Sequence, residues 1–72
     1  MMRIEYDKNV DAAYIYLVYP IKEGSVKKTT SLKNNINLDY DAKGKLVGVE
    51  ILDASKILDK KVIRNAEMEV LA

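Results

Sequence analysis

Apolar and polar residues alternate along two neighbouring stretches in the middle of the chain, residues 36–41 and 47–52. Alternation with a period of two is typical of β-strands that bury one face and expose the other. Residues 42–45 separate the two stretches and include Gly44, which can adopt the positive φ of a tight turn. The pattern therefore predicts a β-hairpin over residues 36–52.

The apolar positions also predict the register of this hairpin. The pairs that place apolar residues together on one face are Ile36 with Ile51, Leu38 with Val49, and Tyr40 with Val47. This register requires a loop of two or four residues, because a loop of three would set the apolar residues of one strand beside the polar residues of the other. Asp39 is then expected opposite Gly48, and Asn37 opposite Glu50.

Three further strands are predicted before the hairpin, over residues 3–6, 12–19 and 26–32. The second of these stretches carries apolar side chains on both faces, and Ala12 with Ala13 also favours a helix. Five of the six residues at positions 14–19 are β-branched or aromatic, which favours the strand. Lysines in the third stretch indicate an edge strand, because exposed charge protects a sheet edge from pairing with other chains.

The segment after the hairpin predicts one helix. Asp53 stands in the N-cap position ahead of Ala54, and the helix is expected to end near Lys60 or Lys61. Residues 66–71 alternate again and fit either a final strand or a second short helix. Together these elements predict an α+β fold, with an antiparallel β-meander sheet of about five strands and one C-terminal helix packed on a face.

Composition restricts the ways in which so short a chain can be stabilised. We expect residues 1–72 to form a single domain, with a C-terminal helix and tail over residues 54–72. The 72 residues contain neither cysteine nor histidine, so disulfides and the usual zinc sites are excluded, and no cofactor is expected. A small core alone is marginally stable, so we expect the chain to be stabilised further as a homo-oligomer.

Charge and hydropathy give no indication of nucleic acid or a membrane as a partner. The net charge of +1, with both signs mixed, argues against nucleic acid and against a membrane surface. The longest apolar run, over residues 12–21, has about half the length that spans a bilayer, and no signal peptide precedes it. We therefore expect a cytoplasmic protein.

Five short motifs occur in an order that resembles a known family. They are Tyr6-Asp7, Asp11-Ala12-Ala13-Tyr14-Ile15-Tyr16-Leu17, Asn37-Leu38-Asp39-Tyr40-Asp41, Val47-Gly48-Val49-Glu50-Ile51-Leu52 and Ala54-Ser55. Over residues 3–57 the chain resembles the small prokaryotic family catalogued as domain of unknown function 2283. The resemblance implies a stand-alone cytoplasmic domain with no established activity. Some relatives lie beside toxin-like genes, which implies an antitoxin-like binding role.

Asp39 and Glu50 are the candidates for a metal site. With Asp41 they are expected to share the outer face of the hairpin, where Gly48 leaves room beside Asp39. Carboxylate oxygens suit Mg²⁺ or Ca²⁺, whereas the alternative is a solvated polar face with a glycine that relieves crowding. A small enzyme or ligand-binding protein that uses Asp39 and Glu50 in an oligomer cleft is the secondary hypothesis. Against an enzyme stands the absence of histidine from the chain, since no histidine can activate a serine nucleophile.

Tyr14, Tyr16 and Tyr19 are the candidates for an interaction surface, since tyrosine offers a large apolar area with a polar tip. The alternatives are that Tyr14 and Tyr16 pack under the helix, or that the aromatic face stacks on single-stranded nucleic acid without a dense basic groove. The sequence favours a non-enzymatic interaction module that self-associates with Tyr14 and Tyr16 at the contact. The family resemblance adds a small toxin-like protein as a partner.

Overall fold

The computed structural model describes residues 2–71 of the chain, with the backbone alone for residues 67–71. Strands and helices follow one another in this part of the chain as β1 (Arg3–Asp7), β2 (Ala12–Tyr16), β3 (Lys28–Leu32), β4 (Ile36–Tyr40), β5 (Leu46–Leu52), α1 (Ala54–Ile57) and α2 (Lys60–Leu71). All neighbouring strands are antiparallel and form one five-stranded sheet. The predicted α+β class is confirmed.

The hairpin of β4 and β5 has the predicted register over most of its length. Leu38 pairs with Val49, and the polar residues of the other face also have their predicted partners, with Asp39 opposite Gly48. This agreement has a simple cause, because any other register would turn the apolar residues of one strand toward solvent.

The end of the hairpin nearest the loop differs from the prediction. Tyr40 lies opposite Leu46, so the expected pair of Tyr40 with Val47 is wrong. The N–H of Asp41 donates to the carbonyl of Lys45 at 2.9 Å, which leaves a loop of three residues between them. Val47 is the extra residue of a β-bulge, and the bulge offsets the odd loop so that the apolar faces match again beyond it.

The order of the strands across the sheet is β1-β2-β5-β4-β3. The expected meander is found in β3, β4 and β5, whereas β2 pairs with β5 instead of β3. Because β2 carries apolar side chains on both faces, an interior position between β1 and β5 suits it better than an edge. β3 is largely exposed and lies at the edge, as predicted.

Two helices replace the one helix expected after the sheet. α1 begins at Ala54 as predicted, but Leu58 is extended, with φ −95° and ψ 146°, and this ends the helix after one turn. Asp59 then starts α2, since its Oδ1 accepts the N–H of Lys61 at 2.8 Å. Residues 66–71 continue α2, so of the two alternatives for this segment the helix is observed and the final strand is not, in keeping with its good helix formers.

The core of the domain is thin. Its buried apolar residues are Ala13, Val47, Ile51, Ala54 and Ala66, and no large side chain among the described residues is fully buried. α1 contributes Ala54 to a cluster with Ala13 and Ile51, while α2 packs mainly against the edge strand β1. A domain of this size buries only about 60% of the surface that its unfolded chain exposes, so further burial by association would stabilise it.

Candidate interaction surface

One face of the sheet, which we call the tyrosine face, collects polar and aromatic side chains from all five strands. By register it carries Arg3 and Glu5 of β1, Tyr14 and Tyr16 of β2, Gly48 and Glu50 of β5, Asn37 and Asp39 of β4, and Thr29 of β3. Ala13 and Ile51, which contact α1, belong to the opposite face, because side chains alternate along a strand. Tyr14 and Tyr16 therefore share a face as predicted, and they do not pack under α1.

Tyr14 spans three strands of this face. Its hydroxyl donates to Oδ2 of Asp39 at 2.5 Å, and Thr29 donates to the other carboxylate oxygen at 2.6 Å. Gly48 lies between Tyr14 and Asp39, and a Cβ atom at this position would collide with the phenol ring. The room beside Asp39, which the sequence offered to a cation, is thus filled by the ring of Tyr14.

Tyr16 and Tyr19 extend the aromatic row toward β1. The ring centroids of Tyr14 and Tyr16 are 4.6 Å apart, and those of Tyr16 and Tyr19 are 5.1 Å apart in an edge-on arrangement. The hydroxyl of Tyr16 donates to Glu5 at 2.9 Å, and Nε of Arg3 donates to the second carboxylate oxygen at 3.2 Å. The Arg3 guanidinium also lies 5.0 Å from the centroid of the Tyr19 ring. The predicted trio of tyrosines is one continuous cluster.

The two hydrogen-bonded phenols are held in their neutral form. Burial raises the pKa of Tyr14, and its hydrogen bond to Asp39 raises it further. Burial likewise raises the pKa of Tyr16, with a second contribution from its bond to Glu5. Both hydroxyls are therefore donors at neutral pH, and they fix the carboxylates at the rim of the aromatic row.

Asp39 and Glu50, the sequence-based metal candidates, already accept hydrogen bonds from side chains. Glu50 accepts from Nδ2 of Asn37 at 2.8 Å, which agrees with the predicted cross-strand pair. Asp41 does not join them, because it lies in the loop and its Oδ1 accepts the N–H groups of Lys43 and Lys45, each at 2.9 Å. Among the side chains that the structure describes, residues 2–66, no three acidic groups gather into a cluster that could hold a metal ion.

Asp11 has a structural role that the local sequence pattern does not reveal. Its two carboxylate oxygens accept the backbone N–H of Ser55 at 3.0 Å and the Ser55 hydroxyl at 2.7 Å. Its carbonyl accepts the N–H of Ala54 at 2.9 Å, and Tyr6 donates to its carboxylate at 2.8 Å. The bond from the Ser55 hydroxyl, followed by that from Tyr6, lowers the pKa of Asp11.

Asp53, the expected N-cap of α1, does not cap the helix with its side chain. It has a left-handed backbone with φ 51°, makes no side-chain cap hydrogen bond, and accepts instead from Asn35 at 3.0 Å. Asp11 takes over this role from the turn between β1 and β2. The first turn of α1 is thus hydrogen-bonded to the turn between β1 and β2, near the beginning of the sequence.

A second surface lies on the other face of the sheet, over β3 and β4. Leu32, Ile36, Leu38 and Tyr40 share this face by register, and we call them the β3–β4 patch. Leu32 is 48% exposed, and the other three side chains are partly exposed. The main contacts of α2 are with β1, at the far edge of the sheet, so the helix does not cover the patch.

The fold and its two surfaces define a small α+β domain whose antiparallel sheet presents a hydrogen-bonded tyrosine face. A family model described as "Protein of unknown function (DUF2283)" matches residues 3–55, and the chain belongs to this family. The matched segment contains every strand of the sheet and the start of α1.

An uncharacterized protein of Methanocaldococcus jannaschii is 38% identical over 58 residues, which cover 81% of this chain and 46% of that relative. The chain therefore spans about half the length of this curated relative. No solved structure matches the chain significantly. Neither helix in the described part of the chain is long and apolar enough to cross a membrane.

Proposed function

We propose that this protein is a non-enzymatic interaction module that works as a homo-oligomer and presents its tyrosine face to a partner protein. The observation that carries the proposal is the thin core. The largest side chains of the apolar sheet face stay partly exposed. Ile36 of the β3–β4 patch packs against the cluster of α1, whereas α2 packs mainly on β1 at the far edge of the sheet. A second copy of the chain that pairs along β3 would bury Leu32 at the seam and add burial that one chain of this size cannot reach.

The properties of β3 favour pairing with a second copy of the chain. The strand is a free edge of the sheet, and the chain has a net charge of only +1, so two copies repel each other little. In an antiparallel pairing of β3 with itself, centred on Thr30, Lys28 of one strand would face Leu32 of the other. Within Lys28–Leu32 no like charges would then oppose each other, and the pair of Lys27 with Lys33 would fall just beyond the strand ends. The two patches would lie on the same side of the joined sheet.

The proposal is tested by a substitution that disrupts the pairing of two copies but leaves the fold of each chain intact. Leu32→Lys would place a lysine opposite Lys28 of the second copy at both ends of the paired strands, and we expect it to give monomers. Val18→Lys is the matched control, because Val18 is 50% exposed and lies outside the patch. Size-exclusion chromatography with light scattering should show dimers for the parent and for Val18→Lys. Dimers of Leu32→Lys, or monomers of the parent, would refute the proposed assembly.

The tyrosine face supports the second half of the proposal. Its aromatic row and its carboxylates form an ordered surface on the side away from α1. Tyr14, Tyr16 and Tyr19 supply the amphipathic area that protein interfaces favour. An antitoxin-like role, in which the face binds a small toxin-like protein, is the form of this proposal that family resemblance suggests. Binding of such a protein that survives the loss of the Tyr16 ring would contradict it.

A further inference from the structure

The charge of the tyrosine face differs from the charge of the whole chain. The face carries the carboxylates of Glu5, Asp39 and Glu50 against the single guanidinium of Arg3. The chain as a whole holds 12 basic and 11 acidic residues. Basic residues are therefore concentrated outside this face, and the aromatic row is bordered by net negative charge. Such a surface attracts a cationic partner and repels an anionic one such as nucleic acid.

One guanidinium already occupies part of the face and shows how the surface holds it. Arg3 lies over the ring of Tyr19 at 5.0 Å from the centroid, and its Nε donates to Glu5 at 3.2 Å. A ring below and a carboxylate beside the group satisfy both the flat face and the N–H edge of arginine. Lysine, a compact point charge, cannot use the two features in the same way.

The other end of the row repeats these components without a cation. Tyr14 and Tyr16 are partly exposed, and Asp39 and Glu50 lie beside the row on the neighbouring strands. Neither carboxylate forms an ion pair with any described residue, since both are held by neutral donors. Each retains lone pairs for a further donor, because a carboxylate can accept about four hydrogen bonds.

We propose that the Tyr14–Tyr16 end of the tyrosine face binds an arginine side chain in a cationic segment of a partner protein. The guanidinium lies against the exposed rings of Tyr14 and Tyr16 and donates to Asp39 and Glu50, as Arg3 does with Tyr19 and Glu5. This inference rests on the part of the proposed function that assigns the tyrosine face to a protein partner. It adds the chemistry by which the partner is recognised, and it does not depend on self-association.

The test is a titration of the isotope-labelled protein with three unstructured peptides that differ only at their cationic positions. One carries arginine, the second lysine and the third glutamine. We expect the arginine peptide to shift the backbone amide resonances of β2, β4 and β5 near Tyr14, Asp39 and Glu50. Its affinity should exceed that of the lysine peptide by about threefold or more and should fall as salt is raised. The glutamine peptide should not bind.

Two substitutions assign the binding to this face. Glu50→Gln keeps the acceptor for Asn37 but removes the charge, and we expect it to weaken arginine-peptide binding by about threefold or more. Glu23→Gln makes the same chemical change in an exposed loop and should leave the affinity unchanged. Amide spectra of the free variants report whether each is folded.

Four results would overturn the inference: equal affinity for the arginine and lysine peptides, resonance shifts confined to another surface, equal losses in the two variants, or no binding at all. Sedimentation of the same samples separates this inference from the self-association proposal. A monomer that binds the arginine peptide refutes only the assembly, whereas a dimer that ignores the peptide refutes only the cationic partner.

Discussion

The phenol ring of Tyr14 lies across Gly48, and its hydroxyl reaches Asp39 on the far side of β5. A single side chain thereby joins β2 to the hairpin of β4 and β5, which lies far from β2 in the sequence. A glycine in a sheet interior normally weakens the strand, and here the cross-strand ring covers the gap that the glycine leaves. This arrangement explains why the central strand β5 contains a glycine.

The first prediction concerns this pair. In Gly48→Ala the new methyl group displaces the Tyr14 ring, so the hydrogen bond to Asp39 and the ring packing are lost. We expect a decrease of about 1–3 kcal/mol in the free energy of unfolding, measured with urea. The same substitution in a Tyr14→Ala background should cost much less, because no ring remains to be displaced. Equal costs in the two backgrounds would show that the ring and the glycine are not coupled.

The second prediction concerns high pH. Because the pKa values of Tyr14 and Tyr16 are raised in the folded protein, the unfolded chain loses these protons first as the pH rises. The stabilisation is fully present below the ordinary tyrosine pKa of about 10 and is lost as the pH rises toward the raised values. In titrations followed by phenolate absorbance, Tyr14→Phe and Tyr16→Phe should each remove a transition that lies above the ordinary tyrosine value. A transition lost near the ordinary value in either variant would contradict the hydrogen-bonded row.

The third prediction compares two aspartates near the start of α1. Asp11→Asn keeps a residue that tolerates the φ of 52° but removes the charge that accepts from Ser55, whereas Asp53→Asn removes a charge that caps nothing. We expect Asp11→Asn to lower the melting temperature by about 4–8 °C at neutral pH, and Asp53→Asn to have a smaller effect.

Acid provides the control for this comparison. The pKa of Asp11 is lowered in the folded state, so its contribution is present above the unfolded-state pKa and disappears as the pH falls through the folded value. The difference in melting temperature between the parent and Asp11→Asn should therefore shrink at acidic pH. A difference that is constant with pH would assign the effect to geometry and not to charge.

The fourth prediction concerns divalent cations. Asp39 and Glu50 accept from Tyr14, Thr29 and Asn37, and the ring of Tyr14 fills the space beside Asp39. We therefore expect millimolar Mg²⁺ or Ca²⁺ to leave the melting temperature unchanged. A rise of several degrees that disappears in Asp39→Asn would instead reveal a metal site, since a ligand selective for the folded state stabilises it.

Local sequence patterns predict the individual strands of this fold better than they predict which strands pair with each other. The pairing of Leu38 with Val49 follows from strict alternation and a short connection. The bulge at Val47 was hidden because it cancels the odd loop and leaves no trace in the alternation. The pairing of β2 with β5 joins segments that lie far apart in sequence, and only this pairing brings Tyr14 over Gly48.

Polar contacts between residues far apart in the sequence could not be predicted from the sequence either. Ser55 lies 44 residues beyond Asp11, and nothing in either segment indicates that one caps the other. Asp53 matched the usual N-cap pattern, but its left-handed backbone turns the side chain to Asn35 instead. The tyrosines were identified as a surface from their residue type and spacing, whereas their carboxylate partners became visible only with the strand order.

Self-association is the central claim, and sedimentation equilibrium of the unmodified protein tests it most directly. The concentration range runs from about 1 μM to about 100 μM, and its upper end lies well above the dissociation constants of typical stable dimers. We expect a mass of twice the single chain at the upper end, because the second copy pairs along the free edge of β3. A single species with the mass of one chain over the whole range would contradict the account.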